Sequence, residues 1–217
     1  MTEYPKMFDG IDQGRFANMS QQELRWLDNI KKALNHSDEA RQSDHPEDRS
    51  LGELFKAIDT AKTLRRSLRG EDTSHRNNRK RFIEFLALEI PACREDAQKF
   101  PLYDKVKQQI IEHSLGDVIY AIRCMIHENE NLHAAEEVDY YILLDWSHPN
   151  PQIPITIQEG TMVCNGYFIW NRLREVIAKF ITVIDSLINL ANGADSFSFT
   201  IDPDLNSIGP DRKERES

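Results

Sequence analysis

A chain of 217 residues, 40% of them hydrophobic and 29% charged, is long enough for one sizeable core and short for two full domains, and its composition excludes wholesale disorder. Asp plus Glu number 36 and Lys plus Arg 27, a net charge of −9, so the overall field does not steer the chain onto nucleic acid, although a local basic site stays compatible with it. Cys93, Cys124 and Cys164 lie far apart without a paired CxxC, which excludes a disulfide framework and a zinc-finger spacing.

The opening MTEYPKMFDGIDQG lacks a positive segment followed by an apolar run, so no secretory signal is expected. The longest hydrophobic stretch, Phe180 to Leu190, is broken by Thr182, Asp185, Ser186 and Asn189. A membrane span needs roughly 18 apolar residues or more. The expectation is a soluble cytoplasmic protein with no membrane partner.

Residues 1–19 read as an N-terminal arm. Ser20 opens S-Q-Q-E, a capping box with Glu23, and Leu24, Leu27, Ile30 and Leu34 follow at helical spacing. His36 to Arg49 reads as a charged loop. Ser50 repeats the start signal with Glu53, and Leu51, Leu54, Phe55, Ile58, Ala61 and Leu68 outline a second helix that Gly70 ends. A third helix carries Phe82, Phe85, Leu86 and Ile90 and stops at Pro91. A fourth is expected from about Tyr103 to Glu128, with Val106, Ile110, Leu115, Val118, Ile119, Ile122 and Ile126 on its apolar side. Gly116 interrupts it, which costs about 1 kcal/mol relative to alanine and is better tolerated where another backbone packs close.

The period then changes. Val138 to Trp146 is rich in β-formers, and Ile155–Gln158 with Thr161–Cys164 reads as a hairpin across Glu159-Gly160. A small antiparallel insertion over about 138–165 follows. Tyr167 to Leu190 forms the last helix, and its wide apolar face implies a central or dimer-interface position. SFSFTI after Gly193 suggests one more short strand before a polar tail. The fold class is therefore mainly α: about five helices with a small antiparallel β insertion, one helical domain over 20–192, then a strand and tail over 193–217.

Candidate chemistry concentrates on the fourth helix. Arg123, His127 and Glu130 fall at i, i+4 and i+7 and share a face, with Tyr120 and His113 extending the stripe. Arginine keeps its proton, whereas histidine changes charge near neutrality. The pair suits general acid–base work beside a phosphate or a developing negative charge, and it equally suits a polar seam beside Ile119, Ile122 and Ile126. His127, Glu128, Glu130 and His133 crowd together, and Glu130 to His133 has E-x-x-H spacing, but no second E-x-x-H is present. No metal or other cofactor is expected. Lys62, Arg65, Arg66, Arg69, Arg76, Arg79, Lys80 and Arg81 stand against only Glu71 and Asp72, which could track a phosphate backbone or balance acidic neighbours. Cys124 is expected to pack as a small hydrophobe.

Two segments together carry a resemblance. RKRFIEFLALEIP (Arg79 to Pro91) resembles the R-F-x-x-F-L…P helix of bacterial HEPN-like helical proteins, and LGDVIYAIRCMIHE (Leu115 to Glu128) resembles their later Y-x-x-x-R…H helix. Their order, and the long helix after a short β excursion, fit as well, so the resemblance covers roughly Arg79 to Leu190. It implies an α-helical homodimer directed at RNA, of the kind that includes metal-independent endoribonucleases of toxin and phage-defence systems. In those, arginine and histidine of two protomers meet across the dimer and the histidine assists attack by a ribose 2′-hydroxyl. Carried onto this chain, Arg123 and His127 take these roles, with Arg76, Arg79 and Arg81 helping to bind phosphate and Glu130 and Tyr120 as polar support. Two departures stand out. Only three residues separate Arg123 from His127, where the family's nuclease motif generally has four to six, and Cys124 stands where a polar residue is usual. The alternative is a non-catalytic helical homodimeric interaction protein in which Arg123 and His127 order the interface.

Overall fold

The structure, a computed structural model, describes residues 6–42, 47–74, 77–94, 96–104, 109–130, 142–147, 155–158 and 161–193. The elements are a one-turn helix α1 (Gly14–Ala17), α2 (Gln21–Arg41), α3 (Glu47–Leu68), α4 (Asn78–Ala87), strands β1 (Phe100–Asp104) and β2 (Gln109–His113), α5 (Leu115–Glu130), strands β3 (Ile142–Asp145), β4 (Ile155–Gln158) and β5 (Thr161–Asn165), and α6 (Gly166–Ala191). Among the described residues the fold is mainly α, with five principal helices, a β1–β2 strand pair and a small β insertion. Among the described residues no helix is long and apolar enough to cross a membrane.

Ser20 starts α2 as its spacing predicts. Its hydroxyl accepts from the Glu23 amide at 3.2 Å and the Glu23 carboxylate accepts from the Ser20 amide at 2.7 Å. Glu23 is buried nonetheless, because Arg15 and Ser67 also bond its Oε1, each at 2.8 Å. Burial works against the Glu23 charge, but the bonds from Ser20 and Ser67 outweigh it and hold its carboxyl below the ordinary value.

The expected loop from His36 to Arg49 is shorter than its charge suggests, since α2 continues to Arg41 and α3 already runs from Glu47. Ser37 and Ala40 are buried in that last stretch, and the Ser37 hydroxyl donates to the Ser50 carbonyl at 2.8 Å. Ser50 accordingly lies buried inside α3 rather than capping it. Leu24 is a second correction: it is 48% exposed, while Leu27 and Ile30 carry the buried face.

The fourth helix begins later than expected. Residues 100–104 and 109–113 form an antiparallel strand pair, with Phe100 opposite His113 and Asp104 opposite Gln109. Ile110, counted as a helix core position, is 70% exposed on β2, and His113 sits on that strand and not on a helical stripe. Ser114 then starts α5: its hydroxyl accepts from the Asp117 amide at 3.2 Å, and the Asp117 carboxylate accepts from the Ser114 amide at 3.0 Å. Gly116 lies in the first turn, where a methyl group would fall 2.8 Å from Ile83 Cγ2 and 3.2 Å from the Cys93 carbonyl oxygen. Its absence lets α5 seat against α4 and the turn at Pro91–Cys93.

The hairpin β4–β5 is antiparallel as expected, with Ile155 opposite Cys164. β3 joins on the other side of β5 in parallel, so the insertion is a mixed sheet in the order β3-β5-β4 and not purely antiparallel. α6 resolves as a central helix. Ile169, Leu173, Val176, Ile177, Phe180, Val183, Ile184 and Leu187 are all buried within this one chain. The N-terminal segment is more than an arm, because Met7, Phe8, Ile11 and Phe16 are buried and Phe8 stacks on Phe180 at 5.1 Å between ring centroids. The SFSFTI segment and the tail lie outside the described residues.

Candidate functional site

The segment richest in chemistry faces α3 and α4. Arg123, midway along α5, directs Nε and Nη2 at Asp59 Oδ2 of α3, at 2.8 and 2.6 Å. One turn on, Lys62 of α3 donates to Asp59 Oδ1 at 2.8 Å and also to the amide oxygen of Asn78 at the start of α4. A single carboxylate thus serves two cations. Side-chain exposure is 24% for Asp59, 8% for Lys62 and 16% for Arg123, so all three are substantially desolvated.

Aromatic rings complete the enclosure. Phe82 of α4 lies within 6.0 Å of the Lys62 ammonium and 5.8 Å of the Arg123 guanidinium, and Tyr120 lies 5.4 Å from the latter. Such rings attract cations through their quadrupoles without neutralising them. The two cations respond differently to burial. Desolvation pushes the Lys62 ammonium below the ordinary lysine value, only partly offset by Asp59. Desolvation also opposes the charge of Arg123, but Asp59 overrides it and raises the guanidinium above its usual range.

His127 follows Arg123 by one turn on α5 and is half-buried, its Nε2 shielded from solvent. Cys124 is half-buried beside Arg123. The structure therefore brings Arg123, Tyr120 and Phe82 together with Asp59 and Lys62. The backbone of Glu130 ends α5, while Arg76 and His133 lie outside the described residues. Arg79 and Arg81 lie near the start of α4, and each has an acidic partner. Arg79 Nη2 bonds Asp117 Oδ1 at 2.9 Å, and Arg81 lies 3.5 Å from Asp72 and bonds the Ser74 carbonyl.

Most of the remaining basic run is committed in the same way. Arg65 Nε donates to the Met7 carbonyl at 2.5 Å, Arg66 and Arg69 each reach Glu71 at 2.9 Å, and Lys80 lies 3.9 Å from Glu84. This corner balances neighbouring acids more than it presents a charged track. Among the described residues, no group of three or more His, Cys, Asp or Glu side chains is placed to hold a metal ion.

Sequence reasoning missed Asp59 and the particular role of Lys62. A signal existed, since Asp59 and Lys62 are spaced i, i+3 on a helix and so share a face. Their meeting with Arg123 depends on how α3 packs against α5, which no local pattern specifies. No protein-family model, no curated protein and no solved structure matches this chain.

Proposed function

We propose that this chain is an RNA-directed protein of the HEPN-like kind, acting as a metal-independent endoribonuclease in a defence or toxin setting. The observation that carries the reading is the charge imbalance at the α3–α5 contact: two substantially buried cations share one carboxylate, one helical turn from a histidine. The excess positive charge suits a phosphodiester, which would meet it in a partly desolvated setting where electrostatic attraction is strong.

In this reading Arg123 and Lys62 hold the phosphate, and His127 takes the proton of the ribose 2′-hydroxyl as its oxygen attacks phosphorus. The bond to the 5′-oxygen breaks, leaving a 2′,3′-cyclic phosphate, and the imidazolium formed at His127 gives its proton to that leaving oxygen. Arg79 and Arg81 assist by exchanging Asp117 and Asp72 for RNA phosphates. A homodimer brings the second protomer's arginine and histidine to the same site.

One observation favours a second reading. Arg123 already spends Nε and Nη2 on Asp59 within its own chain, which suits a non-catalytic helical homodimeric interaction protein whose polar centre orders the helices. Incubation of purified protein with mixed RNA in EDTA, alongside a folded His127→Ala variant, separates the two. Cleavage by the parent protein that disappears in the variant supports the nuclease; equal or absent cleavage in both leaves the interaction protein.

A further inference from the structure

A second polar–aromatic cluster lies where the last turn of α2 meets the start of α6 and the end of β3. The guanidinium of Arg41 sits 4.3 Å from the ring centroid of Tyr167, 5.4 Å from that of Trp146 and 5.9 Å from that of Trp170. All three distances fall within the range where an aromatic face attracts a cation. All four side chains are half-buried, so the cluster reaches the surface.

The walls of this cage are fixed independently of Arg41. The Trp170 indole donates to the Ser37 hydroxyl at 3.0 Å, which itself donates to the Ser50 carbonyl. Trp146 lies directly over Gly166, where a methyl group would fall 2.5 Å from the ring, so that glycine is what admits the indole. Trp146 and Tyr167 meet edge to face at 5.5 Å. The Arg174 guanidinium, 5.8 Å from the Trp170 ring centroid, is locked to Asp38 by paired hydrogen bonds of 2.8 and 2.9 Å. Arg41 differs from Arg174 in this respect: among the described residues its guanidinium is held by rings rather than by a carboxylate.

Three fixed rings around one cation form a recognition site for guanidinium or quaternary ammonium groups, and a ring-held arginine is the occupant that such a group can replace. We propose that this cage is a cation-binding site whose resting occupant is Arg41, and that it accepts a guanidinium or quaternary ammonium group from outside the chain. The inference is independent of any action on RNA. Arg41 acts as an internal competitor, so removing it raises the affinity for an external cation.

The test uses tryptophan fluorescence of the full chain, with tetramethylammonium and N-acetylarginine amide as probes and sodium chloride as the ionic-strength control. Arg41→Ala and Arg41→Gln are compared with the parent protein after thermal unfolding has shown that each is folded. The expected result is saturable binding of at least one probe, about tenfold tighter in the Arg41 variants than in the parent, and lost when Trp170→Leu is added. Preference for the arginine derivative points to an arginine-bearing partner, and preference for tetramethylammonium to a small quaternary amine. Absence of saturable binding in both folded Arg41 variants overturns the proposal and leaves Arg41 as a clasp between α2 and α6.

Discussion

Arg123 and Arg41 both rest on aromatic rings, but among the described residues only Arg123 of these two also rests on a carboxylate. Arg123 lies over Phe82 and Tyr120 but is anchored by two hydrogen bonds to Asp59, with Lys62 drawing on the same acid. Arg41 lies among Trp146, Tyr167 and Trp170. The contrast separates two uses of the same contact. Around Arg123 the rings exclude water from an ion pair and strengthen it, whereas around Arg41 they are themselves the attraction. The first arrangement binds helices together and gathers excess charge; the second leaves a cation exchangeable.

Removing the shared carboxylate is the most severe way to break this contrast. Asp59→Ala leaves Lys62 and Arg123 desolvated without their counter-charge, and a loss of about 3–5 kcal/mol is expected from the urea midpoint and slope. A loss near zero would mean that water reaches the centre freely. Acid is the next largest perturbation. Burial opposes the charges of Asp117 and Glu23, but hydrogen bonds from Ser114 and Arg79 to Asp117, and from Ser20 and Ser67 to Glu23, hold both folded carboxyls below their unfolded values. Their stabilisation is therefore complete above the ordinary carboxylate pKa and is lost as pH falls through the lower, folded one. Urea midpoints measured downward from pH 7 should stay level for these groups until about pH 4.5 and then decline. The smallest effect belongs to the cage: Arg41→Ala should cost about 1 kcal/mol or less. A cost as large as that of Asp59→Ala would erase the distinction between the two cations.

The elements most legible in the sequence were those whose signals are local. The Ser20–Glu23 capping box, the apolar spacing of α6 and the hairpin at 155–164 depend on neighbours a few residues apart, and each forms as its spacing predicts. The segment from 100 to 113 misled because the i, i+4 spacing of Val106 and Ile110 is helical, whereas residues 100–104 and 109–113 pair as strands. The true start of α5 was visible in S-L-G-D, a cap that uses Asp117 in place of glutamate. Arg123 was legible as a residue and not as a contact. Its partner Asp59 stands on another helix, and the parallel pairing of β3 with β5 is a similarly non-local choice. The aromatic cage escaped for the same reason, since Arg41 and Trp146 meet only after α2, β3 and α6 have packed.

The central claim is that the centre built by Asp59, Lys62 and Arg123 receives an RNA phosphate. Side-chain NMR of the arginine Nε–H groups, recorded while single-stranded RNA is titrated into the protein, reads this directly. The expected result is a saturable shift of the Arg123 signal that is lost in a folded Lys62→Met variant. An Arg123 signal that stays unmoved, with or without RNA binding elsewhere on the chain, would contradict it.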